Sequence, residues 1–512
     1  MNWKRFRDKA GAGGADESHY ILGLDLGNDS SSLAFYNMAR GAPELLDVSG
    51  GYGRASMPTA LQYIPDCKEW IFGEYALLNN DSHACSAGPL MEKLGGSAYL
   101  DINNRPVAVS SLLGLFIKEL IGNVRNINPK AEIAGIVAAV SGYNAPEANE
   151  EIRRAFSLSG HEKELIVLAP DRECIFTHYL ARENPSARNI LLLDYGNREL
   201  RAGIYSVKRA GGRIDINTEN YMFSAGPGTE NIDRDLIGLF MEYLPSHMPE
   251  QDKWQLPGFL WQHKDLLLQK NNWGKPVKLY FNFIYPPVQA AVAQNRVNEL
   301  IGPYRDGFMK LIKDLFTRGS AANIEDIDAV VCAGGGFEMQ WAKDAVLSVF
   351  KGDRAHFYKN PKGIAAEGAA FTAAKLLGAV SAPSVVMHDA HQIRSDIGIM
   401  TRVNRKDRFL PIINRGTFWW QDTDTLNFIL NQPSNNTDSV KLFSRTDDGE
   451  LRAVGAIPLD GLPDRPKGAT KLSVAMRFEN KNTLSVTVSD RGFGDMYPPS
   501  GYARTITVNA LR

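Results

Sequence analysis

Two short stretches of this chain carry the same pattern of residues suited to phosphate chemistry. Leu24-Asp25-Leu26-Gly27-Asn28 closes one apolar run, and Leu193-Asp194-Tyr195-Gly196-Asn197 closes another 169 residues later. In each copy a polar turn follows and a second apolar run begins at once, Leu33-Ala-Phe-Tyr36 and Ala202-Gly-Ile-Tyr205. The glycine permits a tight turn that brings backbone N–H groups toward an anion. The Asp at the strand end can hold a hydrated divalent cation that neutralises phosphates, which makes Asp25 and Asp194 the expected metal ligands. Alone, each copy reads as an ordinary hairpin with a turn Gly and Asn. The repetition argues instead for two half-domains that clamp a triphosphate from both sides. The pattern is not a P-loop: Gly-x-x-x-x-Gly-Lys-Ser/Thr is absent, and a strand follows each turn where a helix would be needed.

A third candidate is the glycine cluster Ala333-Gly334-Gly335-Gly336, which follows the apolar run Ala329–Cys332. Its position predicts a helix N-terminus, where backbone N–H groups can meet an anion or a nucleotide.

These residues must be positioned by the elements around them. From Tyr20 to about Leu377 short apolar strands alternate with longer amphipathic stretches, the mark of α/β architecture. Strands are expected at Ile21–Leu26, Ser32–Tyr36, Ile133–Val140, Ile190–Leu193, Ala202–Ser206 and Ala329–Ala333. Helices are expected at Ser110–Asn123, Glu147–Leu158, Val297–Phe316, Glu338–Phe350 and Ile364–Leu377. The Trp-bearing segment Met248–Gly274 reads as a helical lobe rather than a site. After Gly378 the texture changes to period-two alternation, with Leu472–Phe478 and Leu484–Val488 as half-buried strands. The expected organisation is a flexible arm over 1–19, a nucleotide-binding domain over 20–382, a linker over 383–394 and a β-sandwich over 395–512.

Composition narrows the class. Lys and Arg number 57 against 58 Asp and Glu, so the basic excess of a nucleic-acid binder is missing. The longest apolar runs, such as Ile133–Val140, fall far short of the ~20 residues of a membrane span. The basic N-terminus is followed by polar, Gly-rich sequence rather than an apolar signal core. A cytoplasmic protein with no nucleic-acid partner and no membrane span is expected. Cys67, Cys85, Cys174 and Cys332 are scattered, which points to neither a disulfide framework nor a zinc site.

Together these stretches resemble the actin-like ATPase superfamily, and within it the DnaK-type heat-shock chaperones. Gly23-Leu-Asp-Leu-Gly27 and Leu193-Asp-Tyr-Gly196 are similar to the family's two phosphate motifs. Gly228-Thr-Glu-Asn-Ile-Asp233 resembles its Gly-Gly-Glu-Asp-Phe-Asp segment, and Ala333-Gly-Gly-Gly336 its adenosine motif. Asn360-Pro-Lys-Gly-Ile-Ala-Ala-Glu-Gly-Ala-Ala370 is similar to a family helix. Ser395-Asp-Ile-Gly-Ile399, Leu410–Thr417 and Ile457–Gly468 resemble the first strands and a turn of the chaperones' peptide-binding domain. The resemblance implies an α/β fold, an actin-like bilobal ATPase domain made of duplicated ribonuclease-H-like halves, followed by an all-β sandwich. It implies ATP or ADP with Mg2+ as cofactors, an unfolded or extended peptide as client, and leaves a co-chaperone open as a further partner.

By the same resemblance the nucleotide would meet Asp25, Gly27, Asn28, Asp29, Gly196, Asn197, Gly228, Gly334, Gly335 and Gly336. Asp25 and Asp194 would stand on the metal side, Asp194, Glu199 and Asp171 at the reacting phosphate, and Ile399, Thr401, Phe428 and Leu430 along the peptide. Departures from the family are concentrated at the phosphates. Asn197-Arg198-Glu199 stands where the family has Gly-Gly-Thr, Asn28-Asp29 where it has Thr-Thr, and Asp171 where it has Glu. The catalytic Lys falls on Glu92, with Lys93 one residue away, Glu338 replaces an Arg, and Ser141 replaces the switch Pro. No counterpart of the adenine clamp emerges near Gln262–Gln269, and the chain ends before a helical lid. The reading is a lidless chaperone-type protein with weak or lost ATP hydrolysis. The alternative is a non-enzymatic scaffold of the same fold that holds one dedicated partner.

Overall fold

The computed structural model describes residues 19–509 apart from 50–52, 80, 82, 97, 142–145, 162–163, 183–185, 225–227, 269–274, 318–322, 389–392, 394, 404–405, 416, 418, 420–422, 424, 437, 446–448 and 481–482. The arm expected over 1–19 lies outside them except for His19. The chain divides into two compact units, Met1–His388 and Asp389–Arg512.

Two six-stranded sheets form the frame of the first unit. The first contains β1 (His19–Asp25), β2 (Ser30–Asn37), β3 (Ala42–Leu45), β4 (Ser56–Pro58), β5 (Glu132–Val140) and β6 (Leu165–Pro170). Its order is β6-β5-β1-β2-β3, with β4 paired onto β2. The second contains β7 (Asn189–Tyr195), β8 (Leu200–Ala210), β9 (Arg213–Ser224), β10 (Ala329–Ala333), β11 (Ala355–Phe357) and β12 (Ser384–His388), in the order β11-β10-β7-β8-β9-β12. In each sheet the strand that carries Asp25 or Asp194 at or next to its end is central. β1 is parallel to β5 and antiparallel to β2, and β7 is parallel to β10 and antiparallel to β8. Burial on both faces explains why these central strands read as continuous apolar runs.

Two helices, α1 (Asp171–Arg182) and α2 (Ile364–Leu376), pack against each other and against the first sheet. Small residues make this approach possible. A Cβ on Gly368 would lie 1.8 Å from the Cys174 carbonyl oxygen, so only glycine fits at the crossing. The face of α2 turned inward is almost all alanine.

The expected linker 383–394 is partly a strand. Val385 and Met387 stand beside Ile214 and Ile216 in β9 and pack on the same apolar cluster, while His388 Nε2 lies 2.6 Å from Asp215 Oδ1. Apolar residues in a connecting segment lower the free energy by joining a sheet edge. The Trp-bearing segment is helical over Glu250–Lys253 and Leu256–Leu268, and Phe259 stacks on Phe281 at 4.5 Å.

The second unit is a sandwich of two four-stranded sheets. One contains β13 (Asp396–Val403), β14 (Lys406–Ile413), β16 (Ser439–Arg445) and β17 (Leu451–Pro458). The other contains β15 (Leu426–Ile429), β18 (Lys471–Asn480), β19 (Thr483–Asp490) and β20 (Ala503–Asn509). Strict alternation along β19 sends Leu484, Val486 and Val488 into a core shared with Ile397, Leu442, Leu472 and Val474. A buried ion pair closes one end: Arg465 Nη1 and Nη2 meet Asp490 Oδ1 and Oδ2 at 2.9 and 2.8 Å.

Candidate functional site

The strand register sets the site. Parallel pairing aligns the ends of β1 and β5, and antiparallel pairing puts Asp25 opposite Ser32. In the second sheet Asp194 stands beside Ala333 on one side and Arg201 on the other. Both Asp residues therefore project at the ends of central strands, next to turns that the strands themselves fix. The turns and the glycine cluster line one cavity of about 700 Å³. Of the sequence-derived candidates, Asp25, Gly27, Asn28, Asp29, Asp171, Asp194, Gly196, Asn197, Glu199, Gly334 and Gly335 line it.

Gly228 and Gly336 do not. A Cβ on Gly228 would meet the Arg198 carbonyl oxygen at 2.2 Å, and one on Gly336 would meet Tyr195 Cγ at 2.2 Å, so both shape the walls from behind. The glycine cluster also differs from the helix N-terminus expected of it. Gly334, at φ +87, turns the chain into a short 3₁₀ segment, Gly335–Glu338, and its N–H donates to the Pro361 carbonyl. The helix that follows Gly228, Thr229–Met241, likewise spends its first donors on protein: Thr229 N–H on Gly196 O and Glu230 N–H on Asn197 O.

Side chains missed by sequence reasoning dominate the electrostatics. The Arg201 guanidinium faces Glu199 Oε1 at 2.6 Å, Asp171 Oδ2 at 2.9 Å and Asp194 Oδ2 at 3.7 Å, with 17% of its side chain exposed. Spacing was the available signal: Glu199 immediately precedes β8 and Arg201 is the second residue of that strand, two positions on. Lys362 reaches Asp29 Oδ2 at 3.5 Å and donates to Ser30 Oγ. Arg198 Nη2 pairs with Glu92 Oε2 at 2.7 Å. Glu92 lines the cavity whereas Lys93 does not, so the position expected for a catalytic lysine presents a carboxylate.

Seven carboxylates and four fixed cations line the cavity. Burial lifts Asp25 to about 7, against the pull of Lys362 and with a further push from Asp171 and Asp194. Burial also lifts Asp194 to about 6, opposed by Arg201 and reinforced by Asp171 and Glu199. Burial alone would disfavour the Arg201 cation, but Asp171, Tyr221, Asp194 and Glu199 outweigh it and hold Arg201 firmly protonated.

The fit of a divalent cation follows from this arrangement. Among the described residues no three His, Cys, Asp or Glu side chains converge as a metal site. Unit charges about 4 Å apart near a protein surface interact by about 4 kcal/mol. Arg201 thus cancels a large part of the attraction that Asp171, Asp194 and Glu199 would offer to Mg2+. The residues fit a site whose cation is a side chain, and they do not fit Mg2+ as a resident of that triad.

The peptide candidates lie in the second unit. Ile399, inward-facing in β13, and Leu430, which directly follows β15, are core residues, 2% and 7% exposed. The expectation that they line a peptide groove thus falls on side chains packed into the sandwich core. Phe428 packs against the same core while half-buried, and Thr401 is half-buried in β13.

The chain matches two families by sequence. The profile described as Domain of unknown function (DUF8552) covers residues 392–510, and that of the Family of unknown function (DUF5716) C-terminal covers residues 42–247. Among curated proteins the chain is 20% identical over 511 residues to the Chaperone protein DnaK of Mycoplasmoides gallisepticum, covering 92% of this chain and 78% of that protein. It is 23% identical over 211 residues to Heat shock 70 kDa protein 7, chloroplastic, of Arabidopsis thaliana, covering 40% of this chain and 28% of that protein. It is 25% identical over 181 residues to the Stromal 70 kDa heat shock-related protein, chloroplastic, of Pisum sativum, covering 35% and 24%. The matches thus span about a quarter of the length of the plant relatives. The chain is a distant relative of the DnaK-type heat-shock chaperones. Among the described residues no helix is long and apolar enough to cross a membrane.

Proposed function

We propose that this chain is a DnaK-like chaperone-type protein, with an actin-like bilobal domain of duplicated halves that takes ATP or ADP and a β-sandwich that takes extended peptide. Hydrolysis is weak or lost, and the setting is cytoplasmic. The observation that carries the reading is the single cavity joining both Asp-Gly turns and Gly334–Gly335, which come from three distant parts of the chain. A nucleotide there would set its phosphates between Gly27–Asp29 and Gly196–Glu199, and its adenosine toward Gly334 and Gly335. Weak hydrolysis follows from Glu199 at the phosphate end and from Glu92, which holds Arg198 away from it. The transition state needs donors and cations where charge develops, and carboxylates oppose it.

The second reading, a non-enzymatic scaffold for one dedicated partner, is favoured by the spending of Arg198, Arg201 and the Thr229 and Glu230 N–H groups on the protein itself. Thermal unfolding separates the two. A ligand present at a hundred times its Kd stabilises the folded state by about 2.7 kcal/mol. ATP and ADP should raise the Tm and leave adenosine as the weaker ligand. If none of the three moves the Tm at millimolar concentration, the cleft is a scaffold. Anisotropy of a labelled apolar peptide, titrated with the whole chain, tests the β unit in the same way.

A further inference from the structure

The two Asp-Gly hairpins repeat at an offset of 169 residues, and the same offset relates the residues that face each Asp across the strand pair. In the first half that residue is Ser32, opposite Asp25. In the second it is Arg201, opposite Asp194. The halves therefore share their backbone pairing and differ in charge at one equivalent position. Arg201 does more than pair with its cross-strand neighbour: its fork spans Asp171 on the helix after β6 and Glu199, two residues back in the turn that leads into β8. A guanidinium suits this role because it is planar, permanently charged and able to donate in several directions at once. Mg2+ would need an octahedral shell with several retained waters. Three of the carboxylates that could supply such a shell, Asp171, Asp194 and Glu199, are already engaged by Arg201. Lys362 acts comparably at the other hairpin, on Asp29 and Ser30.

We propose that Arg201 is a built-in counter-ion standing where the divalent cation would otherwise sit, so that this cleft binds its phosphate-bearing ligand without a metal. The choice of ligand rests on the nucleotide reading above, whereas the cation claim does not, and the experiment keeps them apart.

The first arm titrates the whole chain with Mn2+ alone, followed by electron paramagnetic resonance of the free ion. The wild type should leave Mn2+ free, and Arg201→Gln should gain a site that Asp194→Asn then removes. A wild-type Mn2+ site that Asp194→Asn abolishes would overturn the proposal. Because Arg201→Gln leaves carboxylates without a partner and can fail to fold, Arg201→Lys provides a second variant. It keeps the charge and should also leave Mn2+ free; Mn2+ captured by Arg201→Lys would show that a side-chain charge here does not exclude the ion and would overturn the proposal. The second arm measures ATP affinity by calorimetry in EDTA and in Mg2+. The two values should agree within about threefold for the wild type, and Arg201→Gln should lose about tenfold or more in EDTA and recover with Mg2+. ATP binding by the wild type only in Mg2+ overturns the counter-ion proposal and leaves the nucleotide reading intact. Binding under neither condition defeats the nucleotide reading, and the Mn2+ arm then decides the cation claim by itself.

Discussion

Arg198 and Glu92 are 106 residues apart in sequence and meet at 2.7 Å across the cavity, joining the turn after β7 to the 3₁₀ segment Met91–Lys93. Each departs from the sequence pattern of the chaperones that this chain resembles, and the two departures are partners. A pair of this kind neutralises a carboxylate that lines the cavity while engaging the only side-chain cation of its turn, Arg198.

The pair is partly exposed, with half of the Arg198 side chain open to solvent, so its energy is modest. A double-mutant cycle of Glu92→Gln and Arg198→Gln, read by urea denaturation, should give a coupling of about 0.3–1 kcal/mol that falls with added salt. Additive single effects, or a coupling unchanged by salt, would show that the pair carries no energy in solution.

Asp25 should be destabilising in the ligand-free protein. A carboxyl raised on folding binds more protons in the native than in the unfolded state between its unfolded value near 4 and its folded value of about 7. Stability therefore falls as pH rises through that window. Asn mimics the protonated form, so Asp25→Asn should be more stable than the wild type at pH 7.5, by on the order of 2 kcal/mol, and should show a flatter pH profile between 4 and 7. A lower Tm for the variant at pH 7.5 would mean that the carboxylate is stabilised by partners and not strained by burial. Asp194, raised to about 6, should follow the same sign over a narrower range.

The frame of the fold was legible because central strands buried on both faces leave unbroken apolar runs, as in Ile133–Val140 and Ala329–Ala333. The repeat of Asp25 and Asp194 was legible for a related reason: both lie at the ends of such runs. Residues that reach the site across sequence were not. Lys362 meets Ser30 from 332 positions away, and no local period encodes that meeting. The segment Ser384–His388 has the sequence of a connector, and only its nonlocal partner β9 makes it a strand. In the sandwich, alternation revealed strands without stating which phase faces inward, and Ile399 falls on the buried side of β13.

The second unit should depend on Arg465–Asp490. Burial alone would raise the Asp490 carboxyl, but hydrogen bonds from Arg465 and the N–H groups of Gly492 and Ser500 hold it at about 2. A carboxylate lowered on folding stabilises the native state above its unfolded pKa near 4 and loses that contribution as pH falls toward 2. The unit should lose about 2 kcal/mol over this range. Asp490→Asn should cost about 3–5 kcal/mol at neutral pH, since it leaves Arg465 buried without its counter-charge. Near-UV circular dichroism against pH, on wild type and variant, tests both statements. A variant as stable as the wild type at pH 7 would remove the ion pair from any structural role.

The turn Asn197-Arg198-Glu199 should limit ATP turnover under the proposed function. Asn197, Arg198 and Glu199 all line the phosphate end of the cavity, and Glu199 adds a negative charge that is only partly answered by Arg201. Added side chains also keep the backbone of the turn from approaching a phosphate as closely as glycine would allow. The triple substitution Asn197→Gly, Arg198→Gly, Glu199→Thr removes the bulk, releases Glu92 from its partner and leaves Arg201 with Asp171 and Asp194. Single-turnover hydrolysis should then be faster by about tenfold or more, which corresponds to about 1.4 kcal/mol in the barrier. The magnitude is bounded because Glu92 stays in the cavity and, once unpaired, opposes phosphate charge more strongly. Adding Glu92→Lys to the triple variant should therefore accelerate hydrolysis further, by placing a cation where the carboxylate stood. If restoration slows the native rate instead, Arg198 or Glu199 takes part in the reaction, and the substituted turn is a working solution of its own.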